Sequence, residues 1–503
     1  MRINLKGWLG MLALLAWTAA GADAEAPPEA PPIKPLRIFK HQGPVLDAAF
    51  SQDGQFIVSG DNEKLAYLWS VADGREVRRF AGHTGEVATA ALAPDGKTLI
   101  SGSYDKTAIL WDAASGAQKA QIKDHTATVF QLACAPDGRW LATGSEHEVL
   151  LTPLDGTISA HKLDGSCEPV CFASDSSVLL TKGQGDGQLL LWSLQNFACV
   201  KTIALGENRT VWGCAFAPDG RTVVLGLREN VGLLVERASG RICGTLEGHT
   251  NHVRWAAVSP DGRRIATGSW DQSVGLWDAW TGASLGYLKH HQDLVLAVDF
   301  SKDGRYLLSA GRDNDVALWD LAQTQAPAAA KAPDAAALDA AWQALAGDDA
   351  PEAYRAVLAF TRAGEAGAAL LAERLRPAAK PELDAVKIRR MIAELDHDDF
   401  DVRANAMSYL RERGAAAVGE FKAALAAEPA LELKTRLNEL LAAAAAEVPI
   451  SNESLRAIRA QQALERIGSP AARAILERQA AGAVEAPETA DARDSLRRLD
   501  ARK

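Results

Sequence analysis

Apolar and polar positions alternate in short runs over the first two-thirds of the chain, and the same run recurs seven times. A valine opens each run, and successive valines are 41 or 42 residues apart: Val45, Val87, Val129, Val170, Val211, Val253 and Val295. Short alternating runs predict half-buried β-strands. A period near 40 residues predicts one supersecondary unit that is repeated and stacked.

Turn residues follow each valine at a constant distance and support this register. They are Asp53-Gly54, Pro94-Asp95-Gly96, Pro136-Asp137-Gly138, Asp175-Ser176, Pro218-Asp219-Gly220, Pro260-Asp261-Gly262 and Asp303-Gly304. Gly and Asp tolerate the backbone angles of tight hairpin turns. Each unit continues with a short apolar strand, a second turn and another strand. Because such a unit cannot bury both of its faces alone, we expect the units to pack around an axis.

A set of polar residues and a tryptophan recurs at fixed offsets within the units. The set is His83, Ser101, Asp105 and Trp111; then His249, Thr267, Asp271 and Trp277; then His291, Ser309, Asp313 and Trp319. This pattern resembles the WD-repeat family of β-propellers, in which the four residues form a hydrogen-bonded chain inside each blade. The resemblance implies an all-β seven-bladed propeller over residues 36–322.

Several units depart from the WD-repeat pattern. The first has Glu63 at the position of the aspartate, and the third has no tryptophan near Thr152. Ser166 takes the histidine position of the fourth unit. The fifth has Leu225 and Val235 in place of the hydroxyl residue and the tryptophan.

The seventh unit stops before its outer strand. Residues 36–39 precede the first unit and resemble the outer strands of other units, such as residues 77–80. We expect residues 36–39 to complete the seventh blade, which would remove an open sheet edge. Deleting them should destabilise the whole ring.

The N-terminus has the features of an export signal. A basic start, an apolar stretch from about Gly7 to Ala20 and the small residues Ala22-Asp23-Ala24 predict a signal peptide over residues 1–24. We therefore expect a periplasmic or extracellular protein, or one that is N-terminally anchored at the cell envelope if the segment is not cleaved. The Pro- and Ala-rich residues 25–35 and 323–334 predict extended, mobile linkers.

Composition changes at about residue 335, where Ala, Leu, Arg and Glu begin to dominate and the apolar period becomes helical. Start signals at Asp349, Asp399 and Ser451, with stops that include Gly414 and Gly468, predict eight to ten short helices over residues 335–503. Residues 401–414 and 463–476 resemble HEAT repeats, and an irregular helical bundle is the alternative. A propeller with such a tail resembles exported bacterial WD-repeat proteins.

Charge and chemistry narrow the functional classes. The net charge of −10 argues against nucleic-acid binding. No catalytic motif occurs in a supporting context, and we predict neither cofactor nor metal. In the pair His290-His291, His291 occupies the position of a blade histidine, so we expect a structural role and not a metal site. Residues 396–401 resemble the start of a calcium-binding loop but lack its glycine, and the glutamate that should follow is also missing. The six cysteines are interpreted mainly as small buried hydrophobes, although pairing in an exported chain stays open.

The WD-repeat resemblance implies that partners bind the top face of the propeller. Three positions per unit should point there: the two neighbours of each valine and the residue before the blade aspartate. Their aromatic and basic members are Tyr104, Phe130, Trp212, Arg228, His252, Arg254, Trp270 and Arg312. Most belong to the last three blades, where we expect a partner-binding patch, with ordinary surface as the alternative.

These features predict a non-enzymatic scaffold that binds one protein partner on the propeller and a second on the helical tail. Two alternatives remain. A small ligand or substrate could bind in the propeller channel, since channel sites need no local motif. The protein could also have a structural role at the cell envelope.

Overall fold

Seven four-stranded antiparallel sheets follow one another along the chain from Arg37 to Asp320. The coordinates, a computed structural model, describe residues 33–155, 160–324, 332–379, 384–427, 429–445, 450–483 and 486–501. The signal peptide and all but the end of the first linker lie outside these ranges, as does most of the second linker. A short 3₁₀ turn, Leu321–Gln323, ends the propeller.

Each sheet is one blade, and its strands are adjacent in chain order. Blade 1 contains β2 (Val45–Phe50), β3 (Phe56–Asp61), β4 (Leu65–Ser70) and β5 (Glu76–Ala81). Blade 2 contains β6 (Val87–Leu92), β7 (Thr98–Ser103), β8 (Ala108–Asp112) and β9 (Gln118–Ile122). Blade 3 contains β10 (Gln131–Cys134), β11 (Trp140–Gly144), β12 (Val149–Pro153) and β13 (His161–Leu163).

Blades 4 to 6 repeat this arrangement. Blade 4 contains β14 (Ser166–Phe172), β15 (Val178–Gly183), β16 (Gln188–Ser193) and β17 (Cys199–Ala204). Blade 5 contains β18 (Val211–Phe216), β19 (Thr222–Leu227), β20 (Gly232–Glu236) and β21 (Ile242–Leu246). Blade 6 contains β22 (Val253–Val258), β23 (Arg264–Ser269), β24 (Ser273–Asp278) and β25 (Ser284–Lys289). The seven valines that mark the repeat are all buried, none more than 2% exposed.

Blade 7 combines the two ends of the ring. It contains β26 (Val295–Phe300), β27 (Tyr306–Gly311) and β28 (Asp315–Asp320), and its fourth strand is β1 (Arg37–Lys40). β1 runs antiparallel to β28, with Arg37 opposite Leu318. The predicted closure is confirmed.

The antiparallel order gives the ring two different faces. The loops that carry the blade histidines and aspartates open on one face, which we call the top face. The Pro-Asp-Gly turns and the turns that follow the blade tryptophans open on the other face, the bottom face.

Nine helices follow among the described residues. They are α1 (Ala335–Ala344), α2 (Ala350–Ala363), α3 (Glu365–Arg374), α4 (Ala385–Glu394), α5 (Phe400–Ala426), α6 (Leu431–Ala445), α7 (Asn452–Ile467), α8 (Pro470–Ala480) and α9 (Pro487–Ala501). Asp349, Asp399 and Ser451 accept backbone N–H groups as N-caps, as predicted. Gly414 interrupts α5 with φ 24°, and Gly468 ends α7 in the left-handed region.

The helices form two cores. Helices α1–α3 share one core with α7 and α8, onto which Leu496 and Leu499 of α9 also pack, whereas α4–α6 pack around their own. The first core joins helices from both ends of the tail, with α2 against α7. HEAT-type repeats stack in chain order. Here helices distant in the chain also pack together, so the helical tail is confirmed and its HEAT-like character stays a prediction. None of the described helices is both long and apolar enough to span a bilayer.

The helical tail docks on the bottom face of blade 5. Arg221, in the turn before β19, extends its guanidinium to Glu465 (2.6 Å) and Asp491 (2.7 Å), and all three side chains are buried or nearly so. Glu465 also accepts two bonds from Arg498. We call Arg221, Glu465, Asp491 and Arg498 the clamp. The contacts of Arg221 in the clamp join residues more than 240 positions apart in the chain.

Two further ion pairs extend this interface. Arg459 of α7 makes a bidentate pair with Glu236 at the end of β20, at 2.7 and 2.8 Å. Asp219 accepts from Gln462 and Arg466. Burial alone would raise the pKa of Asp219, but Arg466 and Arg221 hold it well below its usual range. These ion pairs therefore fix the described part of the tail to the ring.

Candidate functional site

A concavity of about 440 Å³ lies on the top face at the mouth of the ring. All of its lining residues occupy the three positions per unit that the sequence places on this face. They are Pro44, Leu46, Asn62, Glu86, Ala88, Tyr104, Phe130, Arg254, Trp270, Leu294, Leu296 and Arg312. Blades 1, 2, 3, 6 and 7 contribute to it.

One wall consists of stacked aromatic rings. The ring of Trp270 lies 4.7 Å from that of Trp212 and 5.0 Å from that of His252. Arg254 donates from Nη1 to the carbonyl oxygen of Trp212 (2.7 Å), and its guanidinium lies over the Trp212 ring. Arg254 thus ties blade 6 to blade 5 while it lines the concavity.

The opposite wall carries a second aromatic pair. Tyr104 and Phe130 meet edge to face with ring centroids 5.3 Å apart. Tyr104 is 43% exposed, a large value for an aromatic side chain. Burial raises the pKa of its hydroxyl, so the group stays a neutral donor at physiological pH.

The structure brings seven of the eight candidates together. Tyr104, Phe130, Arg254, Trp270 and Arg312 line the concavity, and Trp212 and His252 pack behind Trp270. Arg228 is exposed and does not line it. The surface also extends over blades 1 to 3, so it is wider than the patch predicted on the last three blades.

The sequence candidates were chosen because they are aromatic or basic, so the apolar residues of this surface were not among them. Leu46, Leu294 and Leu296 line the concavity but are not typical hot-spot residues, and Asn62 and Glu86 are polar. The signal for them was present, because each flanks a repeat valine or precedes the blade acid.

Two acidic side chains on inner strands join neighbouring blades. Asp47 of blade 1 accepts from the Thr89 hydroxyl (2.9 Å) of blade 2, and Asp299 of blade 7 accepts from the backbone N–H of Phe50 (2.9 Å). Burial raises the pKa of Asp47 to about 6 and that of Asp299 to about 7. These two side chains therefore join the inner strands of neighbouring blades.

The blade tetrads form the hydrogen bonds that the family resemblance implies. In blade 2, His83 contacts Ser101 (2.8 Å) and Asp105 (2.9 Å), and Trp111 donates to Ser101 (2.8 Å). The sets at His249 and His291 repeat these contacts. Since buried polar groups must be paired, these tetrads position the loops of the top face.

Blade 1 shows what the departures change. His41 still contacts Ser59 (2.7 Å), but its Nδ1 has no partner among the described residues because Glu63 does not replace the aspartate. Burial lowers the pKa of His41 to about 4.

The described residues contain no group of three or more His, Cys, Asp or Glu side chains that could hold a metal ion. All six cysteines are free; Cys199 is exposed, and the others are buried or half-buried. The top face carries aromatic, apolar and cationic groups around one concavity.

Comparison with known families matches five parts of the ring. The profile described as "WD domain, G-beta repeat" matches residues 33–70, 74–112, 116–161, 240–278 and 282–320. The unmatched interval, residues 162–239, contains blade 4 and the first three strands of blade 5, and both blades depart from the tetrad pattern. No curated protein matches the chain.

Proposed function

Because residues 33–320 of this chain form a WD-repeat β-propeller, a fold that commonly serves as a protein-interaction scaffold, we propose that the protein is a non-enzymatic scaffold with a partner-binding top face. The observation that carries the proposal is the concavity, since every residue lining it occupies one of the three top-face positions of its repeat. The ion pairs between the described parts of tail and ring lie on the bottom face, away from this concavity.

The lining defines the chemistry of the partner. Tyr104, Phe130 and Trp270 offer aromatic surface, and Arg254 and Arg312 add two positive charges against the single acid Glu86. The indole N–H of Trp270 has no partner among the described residues. A protein segment that inserts an apolar side chain beside a carboxylate fits this surface. Trp, Tyr and Arg dominate the energetics of such contacts.

The test is affinity purification of the mature chain from its native extract, with identification of the captured proteins. A double variant, Tyr104→Ala with Arg312→Glu, removes an exposed aromatic group and reverses an exposed charge without touching the blade tetrads. Its matched control is Arg75→Glu with Val77→Ala, two exposed side chains near the outer edge of blade 1. A partner kept by the control and lost by the double variant supports the proposal. Capture by all three proteins contradicts it.

A second partner on the helical tail is part of the same proposal. Three of the exposed large hydrophobic side chains lie on helices α4–α6: Val386, Phe400 and Leu431, each more than 70% exposed. Contiguous exposed apolar surface is typical of contact sites, and we propose that these three side chains form such a surface. Replacing the three by serine should remove a tail-bound partner and leave the top-face partner in place.

Export to the periplasm or the cell exterior also belongs to the proposal. It rests on the sequence of residues 1–24. Cell fractionation with an antibody to the ring separates a released mature chain from one anchored at the envelope.

A further inference from the structure

Two grooves on the bottom face are built from equivalent positions, one between blades 5 and 6 and the other between blades 2 and 3. The first groove is formed in part by Pro218, Leu234 and Leu246. The second groove has Pro94, Leu110 and Ile122 at the same three repeat positions. Of the two grooves, the described part of the tail covers only the first.

The tail fills the first groove with an aromatic side chain. Ala350 and Tyr354 of α2 join the core cluster between blades 5 and 6. The Tyr354 hydroxyl donates to the carbonyl oxygen of Ala279 (3.0 Å). This groove therefore accepts one face of a helix, anchored by a tyrosine.

The groove between blades 2 and 3 encloses about 450 Å³. Thr152 lines it at the position that Trp277 occupies in blade 6, as the strand registers show. Thr152 is 3% exposed, and its hydroxyl has no hydrogen-bond partner among the described residues. Leu154 takes the place of Ala279, whose carbonyl binds the tyrosine in the first groove.

The missing tryptophan also weakens blade 3. His125 still contacts Thr143 (2.7 Å), but no indole N–H donates to Thr143 as Trp277 donates to Thr267. Blade 3 lacks both this hydrogen bond and the packing of the indole ring, and each loss lowers its stability. A departure that costs stability and opens a groove has the character of a functional site.

From these observations we propose that the groove between blades 2 and 3 is a docking site for an α-helix of a partner protein, anchored by a tyrosine side chain. The ring of the tyrosine enters between Leu110 and Leu154, and its hydroxyl reaches the Thr152 hydroxyl and the Leu154 carbonyl. The intramolecular contact of Tyr354 is the precedent for this mode of binding. The site is separate from the top face.

The probe is a peptide with the sequence of residues 349–363, held helical by a lactam bridge on its solvent face. It is titrated into the full chain by calorimetry, beside the same peptide with Tyr354→Ala. We expect the tyrosine peptide to bind at least about tenfold more tightly, since aromatic anchors contribute more than 1.4 kcal/mol. Equal affinity of the two peptides for the parent chain overturns the proposal.

The variant Ala120→Trp locates the binding. It places a bulky side chain on the lining of the groove, so we expect peptide binding to be lost. Leu110→Glu, which places a charge on the same lining, is a second way to block the groove if Ala120→Trp fails to fold. Thr152→Val removes only the hydroxyl that the tyrosine reaches, so binding should weaken and stay tyrosine-dependent.

Two results separate this site from the others. Peptide binding that survives Ala120→Trp or Leu110→Glu in a folded chain shows that the peptide has displaced α2 from its own groove, and the proposal is then wrong. The top-face variant Tyr104→Ala with Arg312→Glu should bind the peptide as the parent does. Its failure to do so would also contradict a separate bottom-face site.

Discussion

Removal of Arg221 tests whether the clamp holds the tail on the ring. The Arg221 guanidinium is 6% exposed and contacts Glu465 and Asp491, which are 1% and 16% exposed. Arg221→Ala leaves Asp491 without this cation, whereas Glu465 keeps Arg498. Breaking a buried ion pair by removing one partner costs about 3–5 kcal/mol. Because one acid stays paired, we expect a loss near the lower end, about 3 kcal/mol.

Arg241→Ala is the matched control. Arg241 also joins the ring to the tail, through Asp348, but both side chains are largely exposed, at 45% and 71%. Exposed ion pairs contribute about 0–1 kcal/mol. The two variants remove the same residue type from the same interface and differ mainly in burial.

The assay is hydrogen exchange of α7 and α9, because a two-part chain need not unfold in a single step. Arg221→Ala should lower the opening free energy of both helices by about 3 kcal/mol, and Arg241→Ala by less than 1 kcal/mol. Arg221→Met combined with Asp491→Leu should recover most of the loss, since it removes both charges. Equal effects of the two alanine variants would refute the reasoning.

Three more predictions concern the ring. Phe39→Ala should lower the free energy of unfolding by about 3–5 kcal/mol, because the buried Phe39 packs on Trp69 in the closing strand; Ile38→Ala, more than a third exposed, should cost far less in the same denaturation experiment. Trp277→Phe should cost about 1–3 kcal/mol by thermal unfolding, because it removes the N–H donated to Thr267 and some indole packing. Asp299→Asn should stabilise the protein at pH 8 relative to pH 4: with a folded pKa of about 7 against about 3.9 when unfolded, Asp299 makes stability fall as pH rises through that window. Parallel curves of unfolding free energy against pH for the parent and Asp299→Asn would contradict this.

Repetition made the ring predictable. Each blade supplies independent copies of the same spacing, so the seven-bladed architecture and its register were predictable although Leu225 and Val235 replace tetrad residues in blade 5. The closing strand was predictable for the same reason, because residues 36–39 match an outer strand of other blades. The top-face positions also followed from the repeat.

The contact between ring and tail was not predictable from periodicity. The turn at Asp219–Arg221 resembles the turns of the other blades, and Arg459 and Glu465 are ordinary residues for a helix. What distinguishes them is their burial against each other, which depends on how two separate segments dock. The sequence shows that a tryptophan is missing at Thr152. The proposed binding role of the groove there rests on comparison with the filled groove between blades 5 and 6, which only the structure provides.

The pairing of β1 with β28 has a consequence for synthesis. Arg37 leaves the ribosome early, yet its partner Leu318 is made last among the strands of the ring. At about 5–20 residues per second, the closing strand waits roughly 15 to 60 s for its neighbour. Arg37 and Lys40 flank Ile38 and Phe39 and keep positive charge on this strand while it waits. Lysine on an unpaired strand opposes association with other chains.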